Sequence, residues 1–237
     1  MKQLMALLLA AGLAMGLTGC TPQPSEPSSA APTESGSSSR LENSLLPEEN
    51  YDSIEEVPDF YIQVLMMYGA EEDPETQELR PLTVSLYASD RWTGPELTSA
   101  QAVCWFTGFI DGLSTEEKEE RYASPLGENQ GWFYPQDELE ATLSLYFEGV
   151  DPQLLRSDPA CYSAEYKGYH LGGAPGIGEC PLLQLGEVRS EDDLRILPVY
   201  LDYESAADRR MELTIRIAPD RKSYQFVSWL PAQGQSL

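Results

Sequence analysis

The chain has 237 residues, 10% of them aromatic, which is enough to bury the core of one folded domain. Its 39 acidic and 15 basic residues give a formal net charge of −24. A charge of this sign argues against nucleic acid as a partner, because the phosphates would be repelled. It argues equally against a domain that lies flat on anionic lipid.

The first 19 residues have the organisation of a secretory signal peptide. Lys2 supplies a positive charge, and residues 4–15 are an apolar run without a charged side chain. A basic start followed by a short apolar run is typical of an export signal. A membrane-spanning helix needs about 20 apolar residues, and this run is shorter. We therefore expect export, with residues 1–19 removed.

The end of this segment, Leu17-Thr18-Gly19-Cys20, resembles the lipobox of bacterial lipoprotein precursors. The resemblance covers residues 1–20 and implies that the Cys20 thiol receives a diacylglyceryl group, with cleavage just before it. Two acyl chains anchor a protein stably, whereas one holds it only reversibly. The alternative is an ordinary signal peptide with a chance cysteine. Thr21 stands where an inner-membrane retention signal would have Asp, and the linker that follows resembles those of Gram-positive lipoproteins.

Residues 20–49 are predicted to be a disordered tether. They are rich in Ser, Pro and Glu, with almost no large apolar side chain before Leu41. Such a segment cannot bury enough surface to offset the entropy lost on ordering. About 26 residues of this kind reach roughly 25–30 Å. We expect a protein held on the outer face of the bacterial cell membrane, with residues 50–237 forming a single globular domain.

The first part of this domain mixes predicted strands with a helix. Apolar alternation predicts strands over residues 60–68 and 82–87. Thr98, followed three residues later by Gln101, forms a capping box that predicts a helix ending near Leu113.

Two more helices are predicted in the middle of the domain. Ser114 and Glu117 repeat the capping pattern and open a short acidic helix. Pro135 at a first helical position opens another, which Gly149 ends, and one further helical turn is expected at Asp151.

From residue 162 onward the apolar period changes to two. Strands are predicted over residues 162–170, 180–188, 194–203, 211–218 and 224–230. Sequential strands with short links favour an antiparallel meander. The fold class is therefore α+β, with a meander sheet packed against two or three helices.

A helix followed by long antiparallel strands is similar in layout to the cystatin-like and NTF2-like folds. This topological resemblance covers residues 98–230. The layout is also similar to uncharacterised domains that recur in Gram-positive lipoproteins. A likeness of fold implies no particular activity.

Three cysteines remain after Cys20. Cys161 and Cys180 flank a glycine-rich stretch, residues 172–176, that is predicted to be a hairpin turn. The spacing allows a Cys161–Cys180 disulfide in an exported protein, but connectivity cannot be read from sequence. Cys104 lies among apolar residues and is expected to be a buried thiol.

No cofactor, metal or catalytic site is predicted. His170 is the only histidine, and no Gly-x-Ser-x-Gly motif accompanies it, so we expect a strand-end residue rather than a catalytic base. One histidine and scattered cysteines do not make a zinc site, and the acidic clusters lack the spacing of a calcium loop.

Two functions are left open. The first is a non-enzymatic binding module whose partner is a protein, a cell-wall component or a small molecule. The alternative is a small NTF2-like pocket enzyme, or a small-ligand binder, that uses buried acid and base side chains. Its pocket would be lined by Trp105, Tyr146, Tyr166 and Trp229, unless these aromatic residues simply fill the core.

Overall fold

The computed structural model describes residues 51–82, 87, 91–127, 131–171, 180–204 and 208–232. All of them belong to one compact unit, Asn43–Leu237. The predicted signal peptide, tether and glycine-rich turn lie outside the described residues, as does most of the strand predicted over residues 82–87. None of the described helices is long and apolar enough to cross a membrane.

The domain combines helices with short and long strands, which confirms the α+β fold class. The α-helices of the described residues are α1 (Phe60–Tyr68), α2 (Ser99–Phe109), α3 (Thr115–Tyr122), α4 (Gln136–Tyr146) and α5 (Pro152–Leu155). Two 3-10 turns cover Ile54–Glu56 and Gly94–Glu96.

The strands before the long meander are β1 (Ala70–Glu72), β2 (Leu79–Pro81), β3 (Trp92–Thr93), β4 (Phe133–Pro135), β5 (Tyr162–Ser163), β6 (Gly168–His170), β7 (Leu182–Leu185) and β8 (Arg189–Glu191). The meander itself consists of β9 (Leu194–Asp202), β10 (Arg209–Ile217) and β11 (Tyr224–Pro231).

These strands form two sheets. The larger has the order β1-β2-β7-β9-β10-β11-β3, with β8 pairing β9 as well, and the smaller has the order β4-β6-β5. Every ladder between the described strands is antiparallel, and a single parallel bridge joins Phe147 to Phe226. Helix α4 packs against β11 of the large sheet and against β4 and β6 of the small one, so it holds the two sheets together.

Local chemistry sets the starts of two helices as predicted. The Thr98 hydroxyl accepts a hydrogen bond from the Gln101 N–H, and the Gln101 side chain accepts one from the Thr98 N–H. Ser114 and Glu117 make the same reciprocal pair at the start of α3. Each box satisfies two donors that would otherwise be left open at a helix end.

The strand predicted over residues 60–68 is wrong, because this segment is helix α1. Phe60, Val64, Leu65 and Tyr68 are buried, at intervals that fit a helical face rather than alternate residues. The segment is apolar almost throughout, and such a run does not distinguish a buried strand from a buried helix. Gly69, in the left-handed conformation with a φ of 118°, ends the helix.

The meander buries one face of the large sheet. Along β10, Met211, Leu213, Ile215 and Ile217 are buried and alternate with half-buried residues. Leu213 stands in register with Leu197 of β9 and Trp229 of β11, which makes a continuous apolar row across three strands. The three meander strands lie within one or two residues of their predicted bounds.

The predicted strand over residues 162–170 divides into β5 and β6, and that over residues 180–188 shortens to β7. The expected pairing between them is also wrong, since β6 lies in the small sheet and β7 in the large one. Gly168 explains part of this arrangement. A Cβ at Gly168 would lie 2.3 Å from Cε1 of Phe133, so the Phe133 ring needs a glycine beneath it.

Candidate functional site

The four aromatic residues for which a pocket lining and a core were both left open do not share one pocket: three pack into an aromatic core and one lies at the surface. Trp105 of α2 contacts Tyr146 of α4, with ring centroids 5.3 Å apart, and meets Phe147 edge to face at 4.9 Å. The Trp105 Nε1 donates to the carbonyl oxygen of Met67 at 3.0 Å, so its polar edge is used within the fold. This pair fills the space between α2 and α4.

Trp229 lies deeper in the same core, and Tyr166 lies outside it. Trp229 is 0% exposed and packs against Tyr68 and Tyr87, with both ring centroids 5.5 Å away. Tyr166 is 45% exposed and touches Phe133 at the small sheet. Of the two alternatives, core filling therefore describes Trp105, Tyr146 and Trp229, because large rings on neighbouring elements interlock instead of leaving a void, whereas Tyr166 belongs to the surface.

A small cavity lies elsewhere, between the start of the domain and β11. Its volume is about 10 Å³. Pockets for small organic ligands are much larger, roughly 300–1,000 Å³. The cavity is lined by Ile54, Val57, Phe60, Gln63, Val64 and Tyr224.

The Cys161–Cys180 disulfide that the sequence left open is not formed in the structure, where both residues are free thiols. Cys161 is buried beside β5, where its carbonyl oxygen accepts from the His170 N–H at 2.9 Å. Cys180 is exposed two residues before β7, with its Sγ 3.8 Å from the Pro81 carbonyl oxygen. Cys161 precedes β5 of the small sheet and Cys180 precedes β7 of the large one, so no hairpin brings the two thiols together. Cys104 is buried in α2, as predicted.

The thiols are poorly suited to nucleophilic chemistry. Burial, with the Asp158 carboxylate nearby, raises the pKa of Cys161 to about 11. Burial also raises the pKa of Cys180 above its ordinary value. Since the thiolate is the reactive form, both groups are held in the unreactive state at neutral pH.

A polar cluster of four side chains joins the start of the domain to the meander. Arg195 donates two hydrogen bonds to the Glu55 carboxylate. Its Nε lies 2.6 Å from Oε1 of Glu55, and its Nη2 lies 3.0 Å from Oε2. The Tyr61 hydroxyl donates to Oε1 at 2.8 Å, and Arg221 reaches Oε2 at 3.4 Å. The side chains of Glu55 and Arg195 are 15% and 13% exposed, so this is a largely buried ion pair. Sequence patterns did not identify it, because its members lie 140 residues apart.

We call residues 51–57 the N-terminal strap, because they run across the end of the meander. The Ile54 N–H donates to the Arg221 carbonyl oxygen at 2.8 Å, and the Lys222 ammonium donates to the Tyr51 carbonyl oxygen. Ser53 and Ile54 are buried. Backbone and side-chain bonds therefore fix the point at which the predicted tether joins the domain.

Helix α4 carries two further clusters of the same composition. Glu138 accepts from Arg121 at 2.5 Å and from the Tyr122 hydroxyl at 2.7 Å. Glu140, two residues further along, accepts from Arg156 Nε at 2.8 Å and from the Tyr169 hydroxyl at 2.6 Å. Each cluster thus joins α4 to a neighbouring element through a carboxylate, a guanidinium and a phenol.

These clusters are poor candidates for acid–base catalysis. The Arg195 hydrogen bond holds the pKa of Glu55 below its usual range, and burial together with the Glu55 carboxylate raises the pKa of Tyr61 to about 12. Burial and their carboxylate partners also raise the pKa of Tyr122 and Tyr169 above the ordinary value. A general acid or base works best with a pKa near the operating pH, and the pKa values of these carboxyl and phenol groups are shifted further from neutral pH. Their geometry suits cross-linking of elements.

His170 is a half-buried residue at the end of β6, as predicted. Its ring stacks on Phe133 with centroids 6.3 Å apart, and its Nδ1 is buried without a hydrogen-bond partner among the described residues. No group of three or more His, Cys, Asp or Glu residues in the described ranges is placed to hold a metal ion.

Comparisons with known proteins identify no relative of this chain. A scan against protein-family models matched no family, and searches of curated proteins and of solved structures found no match. The likeness to cystatin-like and NTF2-like folds stays a prediction, and function has to be argued from the residues of this chain.

Proposed function

We propose that the protein is an extracytoplasmic lipoprotein, anchored through Cys20 to the outer face of the bacterial cell membrane, whose domain binds a partner through its surface. The proposal of lipid anchoring is supported by the order of features at the N-terminus. A basic residue, a short apolar run and Leu17-Thr18-Gly19-Cys20 follow one another. The acyl chains of a diacylglyceryl group supply the membrane affinity.

The organisation of the domain supports a tethered module. The strap is pinned to the turn that contains Arg221 and Lys222, so the predicted tether would pull on a fixed point of the fold. A reach of roughly 25–30 Å for the tether would separate the domain from the lipid surface. The acidic charge would keep it from settling on anionic lipid.

The filled core favours surface binding over a pocket reaction. Trp105, Tyr146 and Trp229 pack against other aromatic rings, and Tyr166 lies at the surface. The carboxylates of Glu55, Glu138 and Glu140 are bonded to arginine and tyrosine. Charge is distributed unevenly, since residues 51–171 hold 24 acidic and 6 basic residues, against 10 and 7 in residues 172–237. We expect a partner with a neutral or basic contact surface, because like charges across an interface are strongly unfavourable.

Anchoring is tested by metabolic labelling with an alkyne fatty acid in a bacterial host. We expect the wild type to incorporate the label and to sediment with membranes, and Cys20→Ser to do neither. Cys180→Ser is the matched control, because it removes an exposed thiol from the domain and leaves the anchor site intact. Equal labelling of wild type and Cys20→Ser would refute lipidation at Cys20.

Surface binding is tested separately with the unlipidated Cys20→Ser chain. Co-sedimentation with purified cell-wall sacculi would identify a wall polymer as the partner. A salt-sensitive interaction is expected for an acidic domain, since exposed charges are screened at high ionic strength. Turnover of a small substrate by this chain would contradict the binding role and favour the enzyme alternative.

A further inference from the structure

The N-terminal strap, residues 51–57, is attached to the domain without belonging to either sheet. It supplies no strand to the sheets that the described residues form. Beyond its continuation into α1, one backbone hydrogen bond among the described residues joins it to the rest of the fold, from the Ile54 N–H to the Arg221 carbonyl oxygen. The Lys222 ammonium adds a bond to the Tyr51 carbonyl oxygen. Detaching the strap would therefore leave every ladder between the described strands intact.

The side chain of Glu55 fastens the strap at its centre. Its carboxylate accepts hydrogen bonds from Arg195 of β9, from the Tyr61 hydroxyl of α1 and from Arg221 in the turn between β10 and β11. One strap residue thus connects to three separate parts of the domain. Losing its contacts would weaken the closed position of the strap and leave the sheets paired.

The strap covers apolar side chains and leaves a small void against them. Ile54 is 1% exposed and, with Val57, lines the cavity from the strap side. Phe60 and Val64 of α1 and Tyr224 of β11 line it from the side of the domain. Because atoms that face a void lose the contacts that close packing would supply, the strap is held less strongly than a fully packed element.

The strap meets α1 at Pro58 and Asp59. Asp59 has a φ of 57°, a left-handed conformation that is uncommon for residues other than glycine. Its side chain forms no hydrogen bond that caps α1. Hinges are a few residues at the ends of elements that absorb changes in φ and ψ. Asp59 occupies such a position between the strap and the helix.

We propose that the strap is a latch, which opens as one unit while both sheets stay folded and which uncovers the apolar side chains of Phe60, Val64 and Tyr224. Opening loses only the contacts of the strap, whereas global unfolding also loses the meander and the aromatic core. Opening therefore requires less free energy than unfolding. Under the proposed lipid anchoring, tension in the tether would reach the latch first, because the tether enters at residue 51. The opening itself does not depend on anchoring.

Hydrogen exchange of the unlipidated Cys20→Ser chain, followed by NMR at several low urea concentrations, tests the latch. We expect the Ile54 amide to exchange at least about 10-fold faster than the buried amides of β10, and with a weaker dependence on urea, because little surface is exposed when only the strap opens. The same rate and the same urea dependence for both would overturn the proposal, since the strap would then open only when the domain unfolds.

Two variants separate opening of the latch from global unfolding. Val199→Ala removes two carbon atoms from the buried face of β9, and should speed exchange of the β10 amides by about 10-fold while leaving the Ile54 amide unchanged. Glu55→Gln weakens the closed state relative to both the open and the unfolded states, so it should speed exchange at Ile54 by about 30-fold. Equal acceleration of both sets by Val199→Ala, or no acceleration of Ile54 by Glu55→Gln, would contradict the latch.

Uncovering of the apolar side chains is tested with Val64→Cys in the Cys20→Ser, Cys180→Ser chain. Val64 is 0% exposed and lines the cavity, so a thiol reagent should modify the new thiol through opening of the latch. Val103→Cys is the matched control, because Val103 is 1% exposed in α2 and does not line the cavity. Its thiol should react at least about 10-fold more slowly, through global unfolding. Equal rates would show that no latch uncovers Val64.

Discussion

Gly94→Ala should be among the most destabilising single-methyl additions in this domain. A Cβ at Gly94 would lie 1.6 Å from the carbonyl oxygen of Glu148 and 2.8 Å from its carbonyl carbon. Ordinary contacts between heavy atoms lie near 3.5 Å, so one backbone segment must move by about 2 Å. Glu148 resists this, because its N–H donates to the Phe226 carbonyl oxygen at 2.9 Å.

The expected loss follows from these contacts. Overpacking a well-packed site costs about 1–3 kcal/mol, and a clash with backbone belongs at the upper end. Breaking the Glu148–Phe226 hydrogen bond adds about 1 kcal/mol. The free energy of unfolding should therefore fall by about 3–4 kcal/mol, which lowers Tm by roughly 10 °C for a domain of this size.

The assay is urea unfolding followed by tryptophan fluorescence, with Gly112→Ala as the matched control. Apart from its chain neighbours, no atom of the described residues lies within 4 Å of the position that a Cβ would take at Gly112, and the φ of Gly112 is not positive. We therefore expect a change below about 1 kcal/mol in the free energy of unfolding. If Gly94→Ala and Gly112→Ala unfold at the same urea concentration, Gly94 does not lie as close to Glu148 as the structure places it.

Two further predictions concern the Glu55 cluster and the thiols. Glu55→Gln should lower the free energy of unfolding by about 2 kcal/mol at pH 7, the range for hydrogen bonds to a charged group. Because the folded-state pKa of Glu55 is depressed, its contribution is present above the unfolded pKa and is lost as pH falls through the folded pKa. A difference from wild type that stays constant to pH 3, or an equal effect of the exposed control Glu119→Gln, would contradict this. A thiol reagent should label Cys180 in the native Cys20→Ser chain and leave the buried Cys161 unlabelled, and a Cys161–Cys180 linked peptide in mass spectrometry would contradict the structure.

Elements whose signals are local could be predicted from the sequence. The boxes at Thr98 and Ser114 act within three residues, and both helices start where the boxes indicate. The meander strands were also predictable, because alternate residues of a half-buried strand face the core. The uniform apolar run of α1 carried no such contrast, so its type was misassigned.

The candidate sites were harder to predict than the fold. The aromatic residues Trp105, Tyr146 and Trp229 were identified as core or pocket-lining candidates, yet only their contacts with neighbouring rings show that they fill space. The Glu55–Arg195 pair and the Tyr224 cavity carry no local signal, since their members come from opposite ends of the domain.

The sequence by itself determined the α+β class, the starts of two helices and the alternation of the meander. It also led to the expectation of a lipid anchor at Cys20. Tertiary structure alone decided which strands pair. It placed the strands that follow Cys161 and Cys180 in different sheets, and a register shift next to Thr214 turned Trp229 onto the same face as Phe226. The reason is the separation along the chain of the residues that interact. Helix caps and strand alternation depend on neighbouring residues, whereas strand register depends on how side chains from distant parts of the chain pack together.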